Sequence, residues 1–238
     1  LAAGALVIVC LLWGYNWVIM KIGLRYAGPF DYLAIRVGGG AICLFLLLLV
    51  TRRPLKPEAL GYSTALGFLQ VTGNLGLITW ALAHGAVGRT SVLGYTMPFW
   101  VLILAWPILG ERIRGAEWVA IVLAFAGLVF IFNPSGAHGT MAATVMATGG
   151  GVFWAGATVV TRILHRRRKV DLLSLAAWQM LLGAIPLIVV ALLVPSRPME
   201  WNLALVGTLA FSIVFATVVA WFLWLFVLRY LPAGLASV

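Results

Sequence analysis

The sequence predicts an all-α polytopic membrane protein, an inverted repeat of five-helix units (5+5) that is truncated in its ninth helix. Three observations carry that expectation. Hydrophobic residues make up 63% of the 238 and charged residues 9%, against about 25% charged in soluble domains. The apolar residues gather in runs of about twenty, the length that spans hydrocarbon as a helix. Runs such as "LFLLLLV" (44–50) and "WVLILAWPIL" (100–109) are apolar on every side, which excludes the alternation of a membrane β-barrel. Finally, segments of the first half recur in order in the second, the mark of an internal repeat.

Runs bounded by charge, Pro or Gly place eight helices at roughly 3–24, 31–50, 60–82, 87–109, 116–133, 140–162, 172–194 and 203–229. The first lacks a basic leader and carries Tyr15 and Asn16 before Lys21, so it reads as a spanning helix and not a signal peptide. The second contains Arg36 and the run Gly38-Gly39-Gly40, the third Gln70 and Asn74, and the fourth Pro98. The sixth carries Ala143, Ala147, Gly151 and Ala155 at four-residue spacing, a ladder that lets helices approach closely in lipid. Close packing and sliding between the two halves of the chain are both compatible with it. A ninth helix begins near Pro232, since Pro fits the first helical position. The chain starts with Leu, so trimming is expected at that end as well. The loops are too short to hold a soluble domain.

The basic residues set the orientation. With the N-terminus cytoplasmic, the inside loops hold Arg52, Arg53, Lys56, Arg112, Arg114, Arg162, Arg166, Arg167, Arg168, Lys169 and Arg229, eleven against the four outside, Lys21, Arg25, Arg89 and Arg197. That bias is the positive-inside pattern, and it puts the loop 163–171 in the cytoplasm and 134–139 outside. The net charge of +10 therefore belongs to membrane loops and anionic headgroups and not to nucleic acid. Cys10 and Cys43 lie within apolar runs and are expected as buried free thiols, with no disulfide or metal site.

The repeat is visible in three places. "WGYNWVIMK" (13–21) resembles "WAGATVVTR" (154–162), "IRVGGGAICLFLLLL" (35–49) resembles "WQMLLGAIPLIVVAL" (178–192), and "VGRTSV" (87–92) resembles "AGLASV" (233–238). The units are thus 1–133 and 139–238. Five helices per unit is an odd number, so the second unit enters the membrane from the opposite side, as in many secondary transporters. The second unit lacks a counterpart of residues 93–132, and truncation is the expectation.

Pro98 in the fourth helix, "LGERI" (109–113) at its end and "GAEWVAIVLAFAGLVFIF" (115–132) as the fifth helix resemble an EamA-type transporter of the drug/metabolite transporter superfamily. The resemblance covers nearly the whole chain. It implies two EamA-like repeats with ten helices in all, cytoplasmic termini, a bacterial inner-membrane location, and transport of small metabolites, often amino acids leaving the cell.

Polar groups inside apolar runs are costly unless they face protein or water, which singles out Asn16, Gln70 and Asn74, with Trp13, Tyr95 and Trp154 as amphipathic aromatics nearby. Gln70 and Asn74 are four apart and share a helix face. Together the six are expected to line a central substrate-binding cavity near the midplane, with Trp13 and Trp154 meeting from opposite halves; taken singly, each amide reads rather as an interhelical hydrogen bond. Arg36 either attracts a substrate carboxylate, pairs with Asp31, or snorkels to the outer interface, the last slightly favoured. Glu111 is expected in a structural ion pair with neighbouring arginines more than as a coupling site.

The sequence contains no HExxH, GxSxG, Cys/His cluster or phosphate-binding loop, so neither an enzyme nor a cofactor is expected. No acidic residue sits mid-helix, which disfavours cationic cargo. The expected function is secondary transport, as an exporter of amino acids or related polar solutes. The alternatives are efflux of lipophilic drugs, or a non-transporting scaffold or enzyme. The partners are a small-molecule substrate and the lipid bilayer, with no oligomeric state specified.

Overall fold

The computed structural model describes residues 2–111 and 140–230, together with 115, 118–119, 121–123 and 125–127. Nearly all of them are helical, with no β-strand among the described residues. The helices are α1 (Ala2–Gly23), α2 (Pro29–Val50), α3 (Leu60–His84), α4 (Val87–Leu109), α5 (helical at 118–119, 121–123 and 125–127), α6 (Met141–Arg167), α7 (Leu172–Leu193) and α8 (Leu203–Phe211, Ser212–Val219 and Ala220–Tyr230). Seven helices among the described residues are long and apolar enough to cross a membrane. The fifth expected span and the start of the ninth fall largely or wholly outside the described residues. α6 runs on to Arg167, so the expected loop 163–171 shortens to 168–171.

Local chemistry sets the helix ends. Pro29 occupies the first turn of α2, where a missing amide costs nothing. Thr140, Asp171 and Asn202 each cap a helix by accepting a hydrogen bond from the backbone amide three residues on, at 3.1, 2.8 and 2.8 Å. α4 breaks at Tyr95 and Thr96 and resumes at Met97. It stops at Gly110, whose φ of 69° is the left-handed closure that glycine adopts without strain.

Two helices change their winding at mid-length. α3 is a π-helix over Gly67–Leu75, and α8 over Ser212–Val219. In both, ordinary α-helix flanks the π segment on either side. A π turn displaces the backbone carbonyls and re-aims the side chains, and it concentrates at functional sites.

The helices pack across the two halves of the sequence. α1 lies against α8, α2 against α7, α3 against α6 and α7, and α4 against α6. Small residues make these crossings close. A Cβ on Gly183 of α7 would stand 2.4 Å from Val71 Cβ and 2.5 Å from the Gly67 carbonyl oxygen of α3. One on Gly151 of α6 would stand 3.2 Å from the Gly94 oxygen of α4. Ala143, Ala147, Gly151 and Ala155 are all buried, so the ladder on α6 is a packing surface. Leucines such as Leu11, Leu46, Leu49, Leu192 and Leu203 face outward, as a surface in lipid requires. The thiols are free, but Cys10 is exposed on this apolar exterior and Cys43 is only partly covered. Burial was therefore the wrong expectation, because the outside of this bundle is as apolar as its inside.

Candidate functional site

A cavity opens between the halves, lined by Trp13, Asn16, Trp17, Met20, Arg36, Asn74, Leu75, Ile78, Gly94, Tyr95, Trp154 and Trp221. Its volume is about 50 Å³, and the empty space reaches about 510 Å³ only when the open mouth is counted. α1 supplies Trp13, Asn16, Trp17 and Met20 by helical periodicity, since positions three, four and seven apart share a face. The π segment of α3 brings Asn74 and Leu75, and α6 brings Trp154. Tyr95 enters at the break in α4, where it caps the first α-helical segment.

One wall is aromatic. The Trp13 ring lies 5.4 Å from Trp154, 5.2 Å from Trp221 and 5.6 Å from Trp224, centroid to centroid. These are edge-on or tilted arrangements, the kind favoured by the ring quadrupole. Tyr95 continues the wall at 6.1 Å from Trp154, and its hydroxyl accepts a 3.0 Å hydrogen bond from Trp17 Nε1. Trp13 Nε1 donates to the Ala216 carbonyl at 3.1 Å. The indole N–H groups of Trp154 and Trp221 are buried and make no hydrogen bond among the described residues.

The other wall is polar and is organised by the π segment of α8. Ser212 Oγ donates to Asn16 Oδ1 at 3.1 Å and meets the Tyr32 hydroxyl at 2.9 Å. Thr217 Oγ1 accepts from Arg36 Nε at 3.1 Å. Met20 Sδ, a weak acceptor, receives Arg36 Nη1 at 3.1 Å and Asn16 Nδ2 at 3.0 Å. On the opposite side Asn74 Nδ2 donates to the Gly150 carbonyl of α6 at 3.0 Å. Asn74 thus lines the cavity and also ties α3 to α6.

Five of the six expected residues, Trp13, Asn16, Asn74, Tyr95 and Trp154, line this one cavity. Gln70 does not. It is buried on the same π segment, 3% exposed, and its Nε2 makes no hydrogen bond among the described residues. The site also takes in residues that sequence reasoning passed over. Trp17 and Met20 share a helix face with Trp13 and were legible from that spacing. Trp221 was legible from the likeness of "VGRTSV" to "AGLASV", which places it at the position of Leu75, another lining residue.

Arg36 does not snorkel. It is 2% exposed, held inward by Thr217 and Met20, while Asp31, its other expected partner, is engaged by Ser196. A central arginine costs about 2.5–3.5 kcal/mol on insertion scales, and here no carboxylate among the described residues offsets it. Glu111, by contrast, forms the structural pair expected of it, but with α6: Arg162 and Arg166 each reach it at 2.6 Å. Among the described residues no three His, Cys, Asp or Glu side chains gather to hold a metal.

Residues 1–133 and 141–238 match the model of the EamA-like transporter family. An uncharacterized transporter of Bacillus subtilis, YoaV, is 30% identical over 96% of this chain and 80% of its own length. A probable amino-acid metabolite efflux pump of Escherichia coli is 25% identical over 78% of this chain and 62% of its own length. A crystal structure superposes with a TM-score of 0.74 at 16% identity, over 99% of this chain and 82% of that one, which supports the fold. The helices, the shared cavity and the match over almost the entire sequence lead to one conclusion: this chain belongs to the EamA-like transporter family.

Proposed function

We propose that this chain is a secondary transporter that exports amino acids or related polar metabolites through the cavity between two inverted five-helix repeats, 1–133 and 139–238. The observation that carries the reading is the cavity itself, polar on one wall and aromatic on the other, set where the halves meet, the usual place of a carrier's substrate site. The inverted repeat is supported by the π segments, which interrupt the third helix of each unit at mid-length. It is supported further by the packing, in which α1 on α8 mirrors α6 on α3. The cavity residues Trp13, Asn16, Asn74, Tyr95 and Trp154 are the proposed solute contacts, and Gln70 supports them from the same π segment. The export direction draws on the relative named as an amino-acid metabolite efflux pump. The charge bias supports an inner-membrane protein with its N-terminus in the cytoplasm.

The test is transport by the full-length protein in liposomes, screened with radiolabelled amino acids and organic acids in both orientations. Saturable movement of at least one of them, reduced by Asn16→Leu at equal protein abundance, is expected. Movement unaffected by that change would remove the cavity from the pathway. An impermeant thiol reagent applied to intact cells should leave a cysteine at Arg167 unlabelled if that end faces the cytoplasm.

A further inference from the structure

We propose that Arg36 is the specificity-determining residue of the cavity and that it selects solutes bearing a carboxylate on an apolar body. This rests on the transport reading for the location of the site and adds to it the chemistry that the site recognises. The guanidinium has five N–H donors in a planar fork that matches a carboxylate in two parallel bonds. Two of its nitrogens are spoken for inside the protein. Nε bonds the Thr217 hydroxyl, and Nη1 meets only the Met20 thioether, a weak acceptor that a carboxylate oxygen readily outcompetes.

The acidic residues leave it to the ligand. Of the six in the sequence, Glu117 lies outside the described residues. Asp31 is taken by Ser196, Glu58 by the Asp171 amide, Glu111 by Arg162 and Arg166, and Asp171 by Arg53. Glu200 sits in the connection before α8, where its backbone amide bonds the Tyr26 carbonyl. The buried cation thus faces a cavity whose other wall is tryptophan. A carboxylate at Arg36 places the rest of a small solute against Trp13, Trp154 and Trp221, and the unpartnered indole N–H groups of the last two are available to its polar atoms.

Tryptophan fluorescence of the purified full-length protein, titrated with four matched compounds, tests this. Leucine and 4-methylpentanoate carry the carboxylate; leucinamide and 4-methylpentanamide replace it with an amide. The wild type is expected to bind each carboxylate about tenfold or more tightly than its amide, the scale of a charge-assisted hydrogen bond. Arg36→Gln should bring the carboxylates down to the amides, and Arg36→Lys should keep part of the preference. Equal binding of acids and amides by the wild type, which requires no variant to fold, overturns the proposal. So does a preference that survives Arg36→Gln. Movement of amides or amines in liposomes with no carboxylate preference overturns it and leaves the transport reading standing. Carboxylate-selective binding without movement of any of the four supports it and overturns transport.

Discussion

Arginines occupy two different worlds in this protein. At one end of the bundle Arg53 meets Asp171, and Arg162 and Arg166 share Glu111, all at helix ends and partly exposed. Arg36, within α2, has a hydroxyl and a thioether in place of a carboxylate. The difference teaches where charge serves structure and where it serves recognition. At the edge, water already solvates both partners, so each pair adds at most about 1 kcal/mol and chiefly fixes how α4 meets α6 and how the segment after α2 meets α7. In the interior an ion pair would neutralise the arginine, and the cavity would lose its one strong donor fork.

The sharpest way to break this contrast is Arg36→Gln. Loss of a charged hydrogen bond worth about 1.5–3 kcal/mol corresponds to a fall of about ten- to a hundredfold in transport of a carboxylate solute, measured as initial rate in liposomes. Asn74→Leu comes next. It removes a cavity amide and the 3.0 Å bond to Gly150, so transport should drop several-fold, with a stability loss of about 0.6 kcal/mol. The exposed change Thr64→Val serves as its control. Glu111→Gln should lower thermal stability slightly and leave the ratio of carboxylate to amide transport unchanged; a changed ratio would make Glu111 a coupling residue. The smallest effect is that of salt. Between 0.1 and 1 M the screening length shrinks from about 10 to 3 Å, which weakens the edge pairs while carboxylate preference stays within about twofold.

The sequence made some of this legible and hid the rest, for identifiable reasons. The ends of α2, α4 and α7 follow from Pro29, Gly110 and Asp171, which act on their own helices. The meeting of Trp13 and Trp154 was expected from the likeness of "WGYNWVIMK" to "WAGATVVTR". The π segments did not, because hydropathy records the length of an apolar run and not the register of its backbone hydrogen bonds. In α3 that register is set partly by a neighbour: Thr72 Oγ1 donates to the Gly183 carbonyl of α7 at 2.9 Å. Nor was the inward turn of Arg36 legible, since its anchor, Thr217, is 181 residues away. Gln70 shares a face with Asn74 by spacing and still misses the cavity, which shows that a common helix face is a weaker constraint than the position of the facing helix.

The central claim is that a solute occupies the cavity bounded by α1, α2, α3, α4, α6 and α8. The most direct measurement is substrate protection of a cysteine at Asn74 in a protein whose Cys10 and Cys43 are replaced by Ser. A small methanethiosulfonate reagent should label this cysteine and block transport, and a saturating transported solute should slow the labelling several-fold. A cysteine at Ile185, in the apolar groove between α2 and α7, should label at the same rate with and without solute. Protection at Ile185 with none at Asn74 would contradict the account and move the solute path to the outer groove.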